Sequence, residues 1–150
     1  MGRKNTTKKK HKQRDKHSSV KALKGTLDIT RSGMGFVTVE NMEGDVLIRP
    51  SDFNTALHGD TVRIQIKPGG GRRMQGVVEE VLKRKRLEFI GHLKMNKGFG
   101  FVVIDMDKPM PDIFVPQQSL LTAKDNDRVV VRILEWDKNG KRPIGEIVSV

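Results

Sequence analysis

The sequence predicts an all-β protein: two tandem five-stranded barrels behind a basic arm. Three observations carry this. Beyond about residue 22 the chain repeats itself in order. Each repeat splits into five short runs of alternating apolar and polar residues, with turn signals between them. The basic charge is concentrated in a stretch with almost no apolar residues, which predicts disorder there.

The repeat is visible residue by residue. Gly25-Thr26-Leu27 opens the first unit and Gly91-His92-Leu93 the second. Gly33-Met34-Gly35-Phe36-Val37 corresponds to Gly98-Phe99-Gly100-Phe101-Val102, and Asp45-Val46-Leu47-Ile48 to Asp112-Ile113-Phe114-Val115. Asp60 to Ile66 corresponds to Asp127 to Ile133, and Gly76-Val77-Val78 to Gly145-Glu146-Ile147. The order never changes, so the chain divides into an arm (1–21), a first barrel (22–84) and a second barrel (85–150), joined near Lys83-Arg84-Lys85-Arg86.

Strands are expected at about 24–31, 35–40, 45–49, 60–67 and 75–82 in the first unit. In the second they fall at about 87–95, 99–105, 112–116, 127–136 and 143–150. Val62, Ile64 and Ile66 alternate with Arg63, Gln65 and Lys67, so this strand buries one face, and Val129, Val131 and Ile133 repeat the pattern. Ser51 to Leu57 reads as a short helical turn with Ser51 as its cap, and Gln117 to Ala123 fills the same slot. Gly69-Gly70-Gly71-Arg72-Arg73 and Lys138-Asn139-Gly140-Lys141-Arg142 join the fourth and fifth strands, the latter carrying the tight-turn pair Asn-Gly. Five strands in a unit of this size fit the small OB barrel, whose ligand face is built on strands two and three.

That face holds the most informative stretch, Lys97-Gly98-Phe99-Gly100-Phe101-Val102. Successive strand side chains alternate between faces, so Phe99, Phe101 and Val103 share one side while Val102 and Ile104 take the other. Phe114 alternates with inward Ile113 and Val115 on strand three. The result is an apolar shelf with a cation at its edge. Such a shelf suits unpaired bases, each stacked base contributing roughly 1–3 kcal/mol. The competing reading places both rings in the core, as is usual for phenylalanine. Val102 and Ile104 already supply the core face and argue against it.

These motifs resemble the two ribonucleoprotein signatures of cold-shock domains, and two such units in tandem resemble the N-terminal pair of the ribonuclease II/R family of exoribonucleases. The resemblance spans about residues 22–150, and Ala56-Leu57-His58-Gly59-Asp60 and Glu79 to Arg84 add to it. It implies that the pair binds single-stranded RNA and feeds it to a catalytic domain, called RNB, that hydrolyses RNA from the 3′ end with metal ions (Mg) on clustered aspartates. No such domain is recognisable in these 150 residues. The expectation is therefore a fragment of a cytoplasmic nuclease, monomeric, with no catalytic residue and no cofactor of its own. The alternative is a free-standing RNA chaperone. A third possibility, a protein-binding OB pair, sits poorly with the Phe-Gly-Phe face. Two departures from the cold-shock pattern stand out. Unit one has Met34 and Leu47 where unit two has Phe99 and Phe114, and Pro116 stands where single cold-shock proteins usually place a histidine. Unit two is thus expected to grip bases, and unit one to guide the backbone.

The RNA-binding candidates are Phe99, Phe101, Phe114, Lys97, Lys94 and His92, followed by Phe36, Met34 and Arg49. Phe36 either contacts ligand or leans on the neighbouring barrel. Trp136, near the end of a strand, either stacks on RNA or, the favoured reading, packs at a barrel end or a domain contact. Asp105, Asp107 and Asp112 invite a metal-site test, but Lys108, Pro109 and Pro111 between them read as a surface loop. The four histidines have no ligand spacing. The absence of cysteine excludes disulfides and cysteine-zinc sites, and no apolar run is long enough for a membrane helix. Residues 1–24 carry +9 of the net +11, so the barrels are nearly neutral and any binding surface on them is a local patch. The arm either adds salt-sensitive phosphate affinity or serves only solubility.

Overall fold

The computed structural model describes residues 23–68, 73–137, 140 and 142–150. The predicted arm lies outside these residues, as do Gly69 to Arg72, Lys138, Asn139 and Lys141. Barrel one comprises β1 (Leu23–Ile29), β2 (Gly35–Val39), β3 (Asp45–Ile48), β4 (Thr61–Ile66) and β5 (Gln75–Lys83). Barrel two comprises β6 (Glu88–Asn96), β7 (Phe99–Ile104), β8 (Ile113–Pro116), β9 (Arg128–Trp136) and β10 (Pro143–Ser149).

Both sheets close. In barrel one β1 pairs antiparallel with β2 and β4, and a short parallel contact of β3 with β5 completes the ring. Barrel two repeats this, with β6 between β7 and β9 and a parallel contact of β8 with β10. Closure removes free strand edges. The alternation seen in the sequence sets the interior. Leu27, Val37, Val46, Ile48, Val62 and Ile64 are fully buried in the first core, and Leu93, Val102, Ile113, Val115 and Val131 in the second. Ile66 does not complete the inward row of β4. It is 39% exposed, because the strand runs past the core at its last residue.

The connection between strands three and four is tighter than expected. Only Pro50–Asp52 and Gln117–Ser119 form 3-10 turns. Asn54 and Leu121, with φ of 60° and 53°, turn the backbone left-handed and prevent a longer helix. Ser51 is not the cap: the cap position belongs to Arg49 in extended backbone, with Pro50 pre-setting the first turn and no side-chain cap bond.

After each turn comes a duplicated device. Asp60 Oδ2 accepts the Leu57 N–H at 2.9 Å, and Asp127 Oδ2 accepts the Lys124 N–H at 2.8 Å. In each barrel the aspartate carbonyl also takes the N–H of the first strand's leucine, Leu27 or Leu93, at 2.9 Å. Asp60 does more than its counterpart. Its Oδ2 accepts Arg84 Nη1 at 2.8 Å and its Oδ1 accepts the Lys85 N–H at 3.0 Å, so one buried carboxylate fastens the inter-barrel linker. Arg84 also donates to the Thr55 carbonyl and hydroxyl, and its guanidinium lies 5.7 Å from the Trp136 ring centroid. Leu57, from barrel one, packs in the second core. Arg31 and Asp107 pair across the junction at 3.3 Å.

His58 sits at the same junction. Its Nδ1 accepts the Ile29 N–H at 3.0 Å, and its Nε2 lies 3.2 Å from Lys108 Nζ. Burial first, and Lys108 second, hold its pKa below the ordinary value. The unfolded chain therefore binds this proton more readily. The resulting contribution to stability is complete above the unfolded value near 6.5 and is lost as pH falls from there through the lowered folded value. Urea midpoints at pH 7 and pH 5 should drop further for the wild type than for His58→Asn; equal drops would remove His58 from the account. For Asp60→Ala, which strands Arg84 and two backbone donors, a loss of about 3 kcal/mol in urea unfolding is expected. A loss under 1 kcal/mol would show that the carboxylate is not holding the linker.

Candidate nucleic-acid interface

The candidate interface is built on β7 and β8 of barrel two. Inward Val102, Ile113 and Val115 are sealed from water, so the intervening residues must face out. Gly100 is buried where a Cβ would come within 2.7 Å of Leu93 Cδ1, so it lets β6 pack tightly beneath the shelf. Gly98 turns the chain between β6 and β7 with φ of 76°.

Phe99, Phe101 and Phe114 are all partly exposed, and none belongs to the buried core. Phe101 lies directly across from Phe114, and Phe99 across from Pro116. The three rings form a near-equilateral triangle with centroids 5.4–5.7 Å apart. Two of the pairs meet edge-on and the third is tilted, so ring faces as well as edges are presented.

Lys94, on β6, is the cross-strand neighbour of Phe101 and donates from Nζ to Asn126 Oδ1 at 2.7 Å. His92 lies opposite Val103, with Nδ1 3.1 Å from Asp105 Oδ1, and Arg128 approaches the same carboxylate. Lys97 sits at the mouth of the β6–β7 turn, exposed, its side chain without a partner among the described residues.

Barrel one places its counterparts alike. Phe36 pairs in register with Leu47, as Phe101 does with Phe114. Met34 is partly exposed just before β2, and Arg49 is exposed just after β3, donating from Nε to Gln75 Oε1 at 3.3 Å. Phe36 is covered by Arg73, whose guanidinium carbon lies 5.1 Å from its centroid. Trp136 is at the barrel junction, beside a cleft of about 590 Å³ that Phe53, Pro109 and Met110 also line.

Two further arginines, which their sequence positions do not single out, also reach the rings. Arg142 lies over both Phe101 and Phe114, at 5.7 and 5.9 Å from their centroids. Arg73 holds the matching place in barrel one. The available signal was their shared location in the basic loops between strands four and five; which of those cations reaches a ring depends on the three-dimensional path of the loop.

The three aspartates do not fit a metal ion. Asp105 is engaged with His92 and Arg128, Asp107 pairs with Arg31 in the other barrel, and Asp112 stands apart beside Phe101 and Arg142. Among the described residues no three His, Cys, Asp or Glu side chains are grouped to hold one.

Comparison with known proteins adds the lineage. The family model described as the ribonuclease B OB domain matches residues 25–81 and again 91–150. Ribonuclease R of Thermotoga maritima is 32% identical over 127 residues, covering 84% of this chain and 18% of that protein. Ribonuclease R of Escherichia coli K12 is 33% identical over 132 residues, covering 85% of this chain and 16% of that protein. The chain thus spans less than a fifth of these curated relatives. Among solved structures, Mycoplasma genitalium RNase R in complex with ribose-methylated single-stranded RNA superimposes with a TM-score of 0.74 at 21% identity, covering 85% of this chain and 21% of that one. Yeast Ssd1, a pseudonuclease, gives 0.73 at 18% identity, covering 87% and 23%. Both likenesses bear on fold alone. The repeated family match and the two closed barrels agree on one conclusion: this chain belongs to the ribonuclease B OB-domain family and carries two copies of that domain in tandem.

Proposed function

We propose that the barrel pair binds single-stranded RNA and feeds it, 3′ end first, to the catalytic domain of an exoribonuclease resembling ribonuclease R. The observation that carries this reading is the solvent-facing Phe99–Phe101–Phe114 triangle. Three rings on one outer sheet face are costly to leave in water, and a set of base-sized π-surfaces gives them a use. Lys94, Lys97 and Arg142 border the triangle with charge for the sugar-phosphate chain. Barrel one, with Met34 and Leu47 at the matching places, has one ring where barrel two has three, and we assign it to backbone guidance through Phe36, Arg49 and Arg73.

Metal-dependent cleavage belongs, in this reading, to residues outside the 150 described by the sequence. A cytoplasmic setting and a monomeric state are part of the same proposal. The free-standing chaperone is the weaker reading, because the curated relatives are ribonuclease R and this chain matches a small part of each.

Fluorescence anisotropy with labelled oligo-U is the direct test. Phe99→Ala combined with Phe101→Ala should weaken binding at least tenfold, about 1.4 kcal/mol, while a duplex of equal length binds poorly from the start. Wild-type affinity in a correctly folded double variant would sink the stacking role. Deleting residues 1–21 should flatten the dependence of affinity on salt and leave the high-salt affinity nearly unchanged. An unaltered slope would show that the arm does not touch RNA.

A further inference from the structure

The charged side chains on these barrels are mostly spoken for. Arg63 holds Glu79 and Glu80, Arg132 holds Glu88 and Glu146, Arg84 holds Asp60, and Arg31 and Arg128 face aspartates. Arg86 lies over the core residue Phe89, and Arg142 and Arg73 differ from all of these. Among the described residues neither guanidinium has a hydrogen-bond or carboxylate partner, and each rests on the phenylalanines of its own barrel's outer face. A guanidinium has five N–H donors arranged to match a phosphate, and here they are uncommitted.

The backbone under Arg142 is tied down. Its N–H donates to Asp137 Oδ1 at 3.3 Å, and its carbonyl accepts the Asp137 N–H at 2.9 Å. The base of the β9–β10 loop is pinned, whereas the exposed side chain is held only by its contact with the rings. That arrangement leaves too little room for a base. With the guanidinium carbon under 6 Å from both centroids, a base cannot lie between cation and rings, since two stacking intervals of about 3.5 Å would be needed. The arginine and a base therefore compete for one surface.

From this we infer that Arg142 is a displaceable cover on the base-stacking shelf. It shields Phe101 and Phe114 when no RNA is bound, and swings off to grip a phosphate when a base takes its place. Arg73 over Phe36 repeats the arrangement in barrel one, from the corresponding loop between strands four and five. The inference rests on the RNA-binding reading above and adds a role that opposes binding as well as assisting it.

The two roles separate with salt. Phosphate contacts fade as salt rises, whereas a cation resting on a ring and a stacked base are little affected by counterion release. Oligo-U affinity should be measured from low to about 1 M salt for wild type, Arg142→Gln and Arg142→Lys. Arg142→Gln should bind several-fold more weakly at low salt, with a log–log salt slope shallower by about 0.7. At the highest salt it should bind about threefold more tightly than wild type, because nothing covers the shelf. Arg142→Lys, a weaker ring partner that keeps the charge, should retain the wild-type slope and also bind more tightly than wild type throughout. Weaker binding of Arg142→Gln at every salt concentration would instead make Arg142 a plain contact and overturn the cover. Lines that coincide with wild type would remove Arg142 altogether. No binding by wild type at any salt would take the RNA-binding reading down, and this inference with it.

Discussion

A single carboxylate holds the molecule's architecture together. Asp60 is sealed from solvent, and its oxygens serve three donors: the Leu57 amide in its own turn, and the Arg84 guanidinium and Lys85 amide in the linker. A buried charge is tolerable only when its oxygens are fully occupied, so turn and linker must form together. Arg84 then extends the effect across the junction by resting on Trp136. The neighbouring residues Ala56 and Leu57 complete the link: the first lies in the core of barrel one, the second in the core of barrel two. The pair is therefore more than two beads on a tether, because a loop between β3 and β4 of one barrel helps fill the core of the next.

Duplication followed by divergence explains why the two faces differ. The backbone registers that pair Phe36 with Leu47 and Phe101 with Phe114 are the same, as is the aspartate turn after strand three. Changes are confined to what stands on the outward positions. Outward residues of a closed barrel contribute little to the core, so they are free to change without loss of fold. One barrel became an aromatic surface and the other a mixed one, while each kept an arginine over its second-strand phenylalanine.

Much of this was legible in the residues. Strict alternation of Val102, Ile113 and Val115 with Phe101 and Phe114 requires the rings to face outward, and the order of repeated motifs implies two copies of one barrel. Ser51 shows where local reading fails. A serine before a short polar run suggests a cap, but Pro50 ahead of it starts the turn and Asn54 ends it in a left-handed conformation. Ile66 shows a related failure: alternation continues past the point where the barrel has anything left to cover it with. Arg142 and Arg73 could be placed near the shelf from their loops, yet the flexible reach of a long side chain has no sequence signature.

Periodicity by itself determined the strands, their inward and outward faces, and the aromatic character of the second barrel's outer surface, because a two-residue repeat is a local property of extended backbone. Only the tertiary structure decided which cation covers which ring, that Asp60 rather than Asp127 captures the linker, and that Leu57 crosses into its neighbour's core. These are meetings between residues distant in sequence. They depend on how each closed barrel brings its loops back over its own face and, for Leu57, on where the two barrels meet, and no local pattern encodes that.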